Sequence, residues 1–183
     1  MTDFYLHKYT TYESICSGIV APHKYRLELT KIDGNQDVVL KAWKKDKENI
    51  LKRYISKLEK HYEKNEIFLL FVPPTNTKIF TNDIIEKIKF EYPNAIDLVD
   101  CFMKTSNVSF GDAKYDDYET EQLLEYITVN KAILDKANDK INKAFIVDDV
   151  HSSGKSIELT KHLIKTNISN DIEIKSGVIL TTT

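Results

Sequence analysis

Arginine is nearly absent from this 183-residue chain: Arg26 and Arg53 are the only two, and lysine supplies the other cations. The net charge is −2, so there is no excess of basic charge. That argues against a dedicated nucleic-acid binder, which needs clustered cations to displace counterions from phosphate. Cysteine is scarce too. Cys16 and Cys101 form no CxxC pair and suggest no disulfide framework, which points to a reducing cytosol. The five histidines are scattered and show no HExxH pattern, so no protein-bound zinc site is expected. Long apolar runs are missing: the longest, residues 67–72, is far too short to cross a bilayer. Residues 1–5 bring an early acid, Asp3, and no apolar signal core. A cytoplasmic location with no membrane partner is the expectation. The chain shows no repeats and no low-complexity tract.

What is present is a hydrophobic content of 42%, enough for a sizeable core at a length that suits one domain. Residues 1–22 read as an irregular or partly helical lead-in ending at Pro22. Residues 25–32 alternate polar and apolar, as a half-exposed strand does. Asp33, Gly34 and Asn35 signal a turn, and Val38, Val39 and Leu40 read as a partner strand, so residues 24–40 predict a hairpin. Residues 42–64 predict an amphipathic helix, with Ile50, Leu51, Tyr54, Ile55, Leu58 and Tyr62 at three- and four-residue spacing. Residues 67–72 predict a buried strand. It breaks at Pro73 and Pro74 into a polar loop of Thr75, Asn76, Thr77 and Lys78. A helix over residues 82–92 and a third strand over 95–102 follow. Residues 103–119 form a polar connection, of a length that is usually functional or disordered. A helix over residues 120–138 leads into the strand at 144–147, and residues 172–180 predict the last strand. Strands alternating with helices imply an α/β fold with a parallel sheet covered on both faces. The division expected is a lead-in and hairpin over residues 1–40 and an α/β domain over 41–183, in one compact unit.

The chemistry concentrates in residues 143–156. Ala144, Phe145, Ile146 and Val147 form an apolar run suited to a strand buried on both faces. Asp148 and Asp149 follow at once, then Val150 and His151, then a loop of Ser152, Ser153, Gly154, Lys155 and Ser156. Ile157, Leu159, Leu163 and Ile164 continue roughly at helical spacing. A strand that ends in acids and turns through a small polar loop into a helix is a ready phosphate cradle, because loop amides and the helix N-terminus present positive dipole to an anion. Ligands of open α/β sheets sit beyond the carboxyl ends of the strands, where this loop lies. Ionised carboxylates are pure acceptors and suit a cis-diol. The same residues also read as a plain strand end followed by a turn and a helix cap. Gly154, Lys155 and Ser156 also match the end of a Walker A loop, but its first glycine position holds Asp149, whose charge opposes a phosphate there.

Residues 145–156 read Phe-Ile-Val-Asp-Asp-Val-His-Ser-Ser-Gly-Lys-Ser. This resembles the phosphoribosyl-pyrophosphate (PRPP) signature of type I phosphoribosyltransferases at every position except His151, where that family carries an aliphatic residue. The resemblance implies a three-layer, parallel-sheet α/β fold with an N-terminal hairpin or hood. It implies transfer of a phosphoribosyl group from PRPP to a nitrogenous acceptor, with Mg²⁺ held through PRPP rather than by the protein directly. Asp148 and Asp149 would hold the ribose hydroxyls as the catalytic acids, and residues 150–156 would hold the 5′-phosphate. Pro74, Thr75, Asn76, Thr77 and Lys78 fall where the family binds pyrophosphate, although the usual glycines are missing. Lys104 opens the long connection, where the family has a flexible hood, and would touch pyrophosphate too. The order of segments is similar to the ComF-like branch, without its N-terminal zinc module. The arginine expected after the proline loop is also missing. Non-catalytic PRPP or nucleotide sensing, or a ligand-free interaction role with a protein partner or second copy, are the alternatives that this departure raises.

Overall fold

The computed structural model describes residues 3–9, 36–74, 79–105, 119–137, 140–151 and 154–182. Strand β1 (Phe4–Tyr9) opens the chain, and helix α1 (Gln36–Leu58) follows. Strand β2 (Leu69–Phe71), helix α2 (Ile79–Glu91) and strand β3 (Ile96–Asp97) come next. Strand β4 (Phe102–Lys104), helix α3 (Thr120–Leu123), a single 3₁₀ turn, strand β5 (Ile127–Val129) and helix α4 (Lys131–Leu134) form a small annex. Strand β6 (Lys143–His151), helix α5 (Lys155–Asn167) and strand β7 (Glu173–Thr182) complete the order.

Five strands form one sheet in the order β1-β7-β6-β2-β3, and every pairing in it is parallel. The predicted α/β class is therefore what the backbone adopts. β6 is central, and its apolar run explains why. Phe145 and Val147 pack on one face with Tyr54, Leu58, Ile84 and Ile88 of α1 and α2. Ala144 and Ile146 pack on the other with Leu159, Leu163 and Ile164 of α5. A strand buried on both faces must be apolar throughout, and all four residues from Ala144 to Val147 are fully buried. Aromatic edges lock the first face: Phe145 meets Tyr54 at 6.4 Å and Tyr62 at 5.7 Å, both T-shaped. The Tyr62 hydroxyl also donates to the Ala144 carbonyl at 2.8 Å, and Lys47 of α1 reaches Asp83 of α2 at 3.1 Å.

Several expectations require correction. Residues 4–9 are not part of an irregular lead-in but form β1, because they pair with β7 from the far end of the chain, Phe4 opposite Gly177. Asp3 seals the start of that pairing, its carboxylate accepting from the Ser176 amide at 2.6 Å. Val38, Val39 and Leu40 are helical, because α1 already begins at Gln36 and runs across the 40/41 boundary. A three-residue apolar run fits strand or helix equally, and here the helix continues through it. The proposed partner strand at 25–32 lies outside the described residues. The third strand is split. Asp97 turns its side chain back to accept from the Val99 amide at 3.1 Å, and the chain leaves the sheet to form β4. The helix expected over 120–138 is broken by β5, whose Ile-Thr-Val stretch pairs antiparallel with β4. Asn130 then caps α4, accepting from the Ile133 amide at 3.4 Å.

Two measurements check this account. Phe145→Ala should cost about 3–5 kcal/mol in urea denaturation, since it empties a fully buried site between two rings. The second concerns the sheet edge, where Lys89 Nζ lies 2.9 Å from the Asp97 carboxylate. Burial alone would push the Asp97 carboxyl up, but hydrogen bonds from Lys89 and the Val99 amide outweigh it and hold it below its ordinary value. A carboxyl lowered in the folded state contributes stability above its unfolded pKa and loses it as pH falls through the folded one. Lys89→Met should therefore destabilise the protein at about pH 7 and make little difference at about pH 2, read from urea midpoints.

Candidate functional site

The site is built by two neighbouring strands that end together. β2 and β6 are parallel and directly paired, Phe71 opposite Ile146, so the chain segments that follow them emerge side by side at one edge. After β2 come Val72, Pro73 and Pro74, all buried, and α2 starts at Ile79. After β6 the chain turns at Gly154 and enters α5 at Lys155. Gly154 has φ 81° and ψ −8°, the left-handed region, and it serves as the N-cap. A residue with a Cβ pays a steric penalty there, which explains the glycine. The Glu158 amide donates to the Gly154 carbonyl at 3.0 Å, and the Thr160 hydroxyl donates to the Ser156 carbonyl at 2.7 Å. The amides of the first turn have no partner within the helix, so α5 presents positive dipole to this edge. α2 starts from the same edge with the same polarity.

Asp148 is the deepest charged group here. It is 9% exposed and pairs in register with Val178 of β7. The register of β6 against β7 runs from Lys143 to Asp148 and keeps the same offset at Val150 and His151. Alternation therefore puts Asp148 on the face of Ile146 and Val178, toward α5. Its charge reaches through the sheet to Tyr54 on α1. Burial pushes the Tyr54 phenol well above its usual pKa, and the Asp148 carboxylate adds to the effect.

The structure brings part of the predicted set together. Pro74, Asp148, Gly154, Lys155 and Ser156 gather at the carboxyl edge, with Lys155 and Ser156 half-buried in the first turn of α5. Asp149, Val150 and His151 belong to β6, with Val150 opposite Leu180 and His151 opposite Thr181. Ser152, Ser153 and residues 75–78 lie outside the described residues. Lys104 ends β4 and is half-buried. Phe102 of the same strand stacks on Phe71 at 5.7 Å and 11°, which pins β4 near the end of β2. Residues 106–118 of the long connection lie outside the described residues.

Sequence reading placed Tyr54 on the inner face of a helix and gave it no further part. In the fold its hydroxyl donates to the Gly177 carbonyl at 2.7 Å, one position below the Asp148 level. The pairing of a helix tyrosine with a strand glycine 123 residues away leaves no local pattern to read. At the opposite edge, where β6 begins, a polar cleft is lined by Glu59, His61, Tyr62, Glu63, Glu66 and Lys143. Glu66 and Lys143 form an ion pair there. Burial and the Lys175 charge lower the His61 pKa. Among the described residues no three His, Cys, Asp or Glu side chains cluster so as to hold a metal ion. Also among them, no helix is long and apolar enough to cross a membrane.

No family model matches the chain, and no curated protein matches it. Among solved structures, it is similar to a hypoxanthine phosphoribosyltransferase from Staphylococcus aureus in two crystal forms. Sequence identity is 15% in both, with TM-scores of 0.41 for the orthorhombic and 0.42 for the tetragonal form. The matched region covers 75% of this chain and 62% of that protein, so the chain spans less than two thirds of its relative's length.

Gly154→Ala tests the loop geometry. It should lower stability by about 1–2 kcal/mol, since alanine must adopt the left-handed conformation seen at that N-cap. Urea denaturation measures the loss.

Proposed function

We propose that this protein binds PRPP with Mg²⁺ at the carboxyl edge of β2 and β6 and transfers its phosphoribosyl group to a nitrogenous acceptor. The observation that supports the reading is the parallel pairing of β2 with β6, whose carboxyl ends, at Phe71 and past Ile146, lie on neighbouring strands. In this reading Asp148 and Asp149 accept hydrogen bonds from the ribose hydroxyls. Amides and hydroxyls of residues 152–156 take the 5′-phosphate at the start of α5. Residues 74–78 and Lys104 take the pyrophosphate. The reaction breaks the bond from the anomeric carbon to pyrophosphate and joins that carbon to the acceptor nitrogen, which loses a proton. The chain's part is to orient the ribose and to hold the departing group. Mg²⁺ favours hard oxygen donors and keeps several waters, and the pyrophosphate of PRPP would supply such donors. When bound, the ion offsets the charge on the leaving group. On segment order we place the chain nearest the ComF-like branch, acting in the cytosol.

One observation favours a second reading. Arginine is confined to Arg26 and Arg53, and the segment from Pro73 to Lys78 has no glycine. Weak pyrophosphate handling of that kind suits a protein that senses PRPP or a ribose-5-phosphate nucleotide without turning it over.

Calorimetry with PRPP and Mg²⁺ tests both. The wild type should bind, and Asp148→Asn with Asp149→Asn should bind at least about thirty-fold more weakly, equivalent to about 2 kcal/mol. Wild type that shows no heat at about millimolar PRPP counts against the proposal. Release of pyrophosphate with an added base separates transfer from sensing.

A further inference from the structure

Gly177 is the point where four parts of the fold meet. It pairs with Val147 of β6 on one side and with Phe4 of β1 on the other. Alternation along β7 sends Val178 to the α5 face and leaves position 177 on the α1 face. Lys175 lies on that same face, 6.0 Å from the centre of the Tyr62 ring. Tyr54 of α1, fully buried, donates its hydroxyl to the Gly177 carbonyl at 2.7 Å. A side chain at 177 would project toward the ring that makes this bond, so glycine allows the close approach. One step further along both strands stand Val178 and Asp148.

We propose that Tyr54 is a positioning residue for the sugar end of the site: its hydroxyl, tied to the Gly177 carbonyl, holds β7 and the bonded end of β6 at the height that sets Asp148 against the ribose. The inference rests on the reading of Asp148 as a ribose ligand. The electrostatic link is consistent with it, since the Asp148 charge is felt at the phenol. The bond is buried and charge-neutral, and β7 carries its effect directly to β6 through their shared ladder. In that reading the pyrophosphate end belongs to the segment after β2, a different strand from the one whose carbonyl accepts the Tyr54 hydrogen bond. A hydroxyl that served packing alone would leave both ligand affinities alike, whereas a positioning hydroxyl acts on the sugar.

The test uses Tyr54→Phe, which keeps the ring, with calorimetry on two probes, ribose 5-phosphate and Mg²⁺-pyrophosphate. The variant should bind ribose 5-phosphate about ten-fold more weakly and pyrophosphate within about two-fold of wild type. Gly177→Ala keeps the tyrosine and crowds its hydroxyl, and it should give the same selective loss. If wild type binds both probes and either folded variant matches it on ribose 5-phosphate, the inference is overturned while the reading of the site stands. Parallel loss of both probes overturns it equally. Wild type that takes up neither probe overturns the reading of the site, and this inference with it.

Discussion

The parallel ladder from β2 through β6 to β7 is the constraint on which the rest depends. Parallel strands need crossover segments on the faces of the sheet, so α1, α2 and α5 are consequences of the pairing as much as partners to it. Their helices start where strands end, and this single polarity gathers loops and helix N-termini at one edge. The same polarity explains why the acidic and lysine-rich cleft near Glu66 and Lys143 lies at the other edge, away from Asp148.

A carboxylate at 9% exposure is expensive unless its surroundings answer it. Here the answer comes from position. Asp148 is the first residue past the fully buried run Ala144–Val147, and β6 continues beyond it to His151, so the acids lie within the strand and not at its end as the sequence suggested. The Tyr54 hydroxyl lies just below, engaged with the Gly177 carbonyl rather than left unmet in the core. Tyr62 does the same three ladder positions earlier, at Ala144. Tyr54 on α1 and Tyr62 just past its end thus satisfy their polar tips on different strands, β7 and β6.

The annex on the α5 face has a stacked aromatic contact at its root. Phe102 lies flat on Phe71, and β4 with β5 extends from there. Leu123 and Phe102 are buried in the cluster that also holds α5. This arrangement ties the strand that carries Lys104 to the end of β2.

Much of the central architecture was legible in the residues because its signals are short-range. The apolar run from Ala144 to Val147 suits a strand buried on both faces, Ser152 to Ser156 read as a turn into a helix, and the spacing of Ile157, Leu159, Leu163 and Ile164 suits one helix face. These properties hold whatever the neighbours are. The tertiary structure decided what depends on distant partners. Residues 4–9 are a strand only because β7 offers them an edge, and residues 127–129 leave a helical stretch only because β4 lies opposite. Strand order belongs to the same class: nothing near residue 71 states that β6 will be its neighbour, and the adjacency that gathers the candidate site arises from pairings 75 residues apart, such as Phe71 with Ile146. Local propensity is written residue by residue, whereas a hydrogen-bonded register between distant segments is set by the free energy of the whole core.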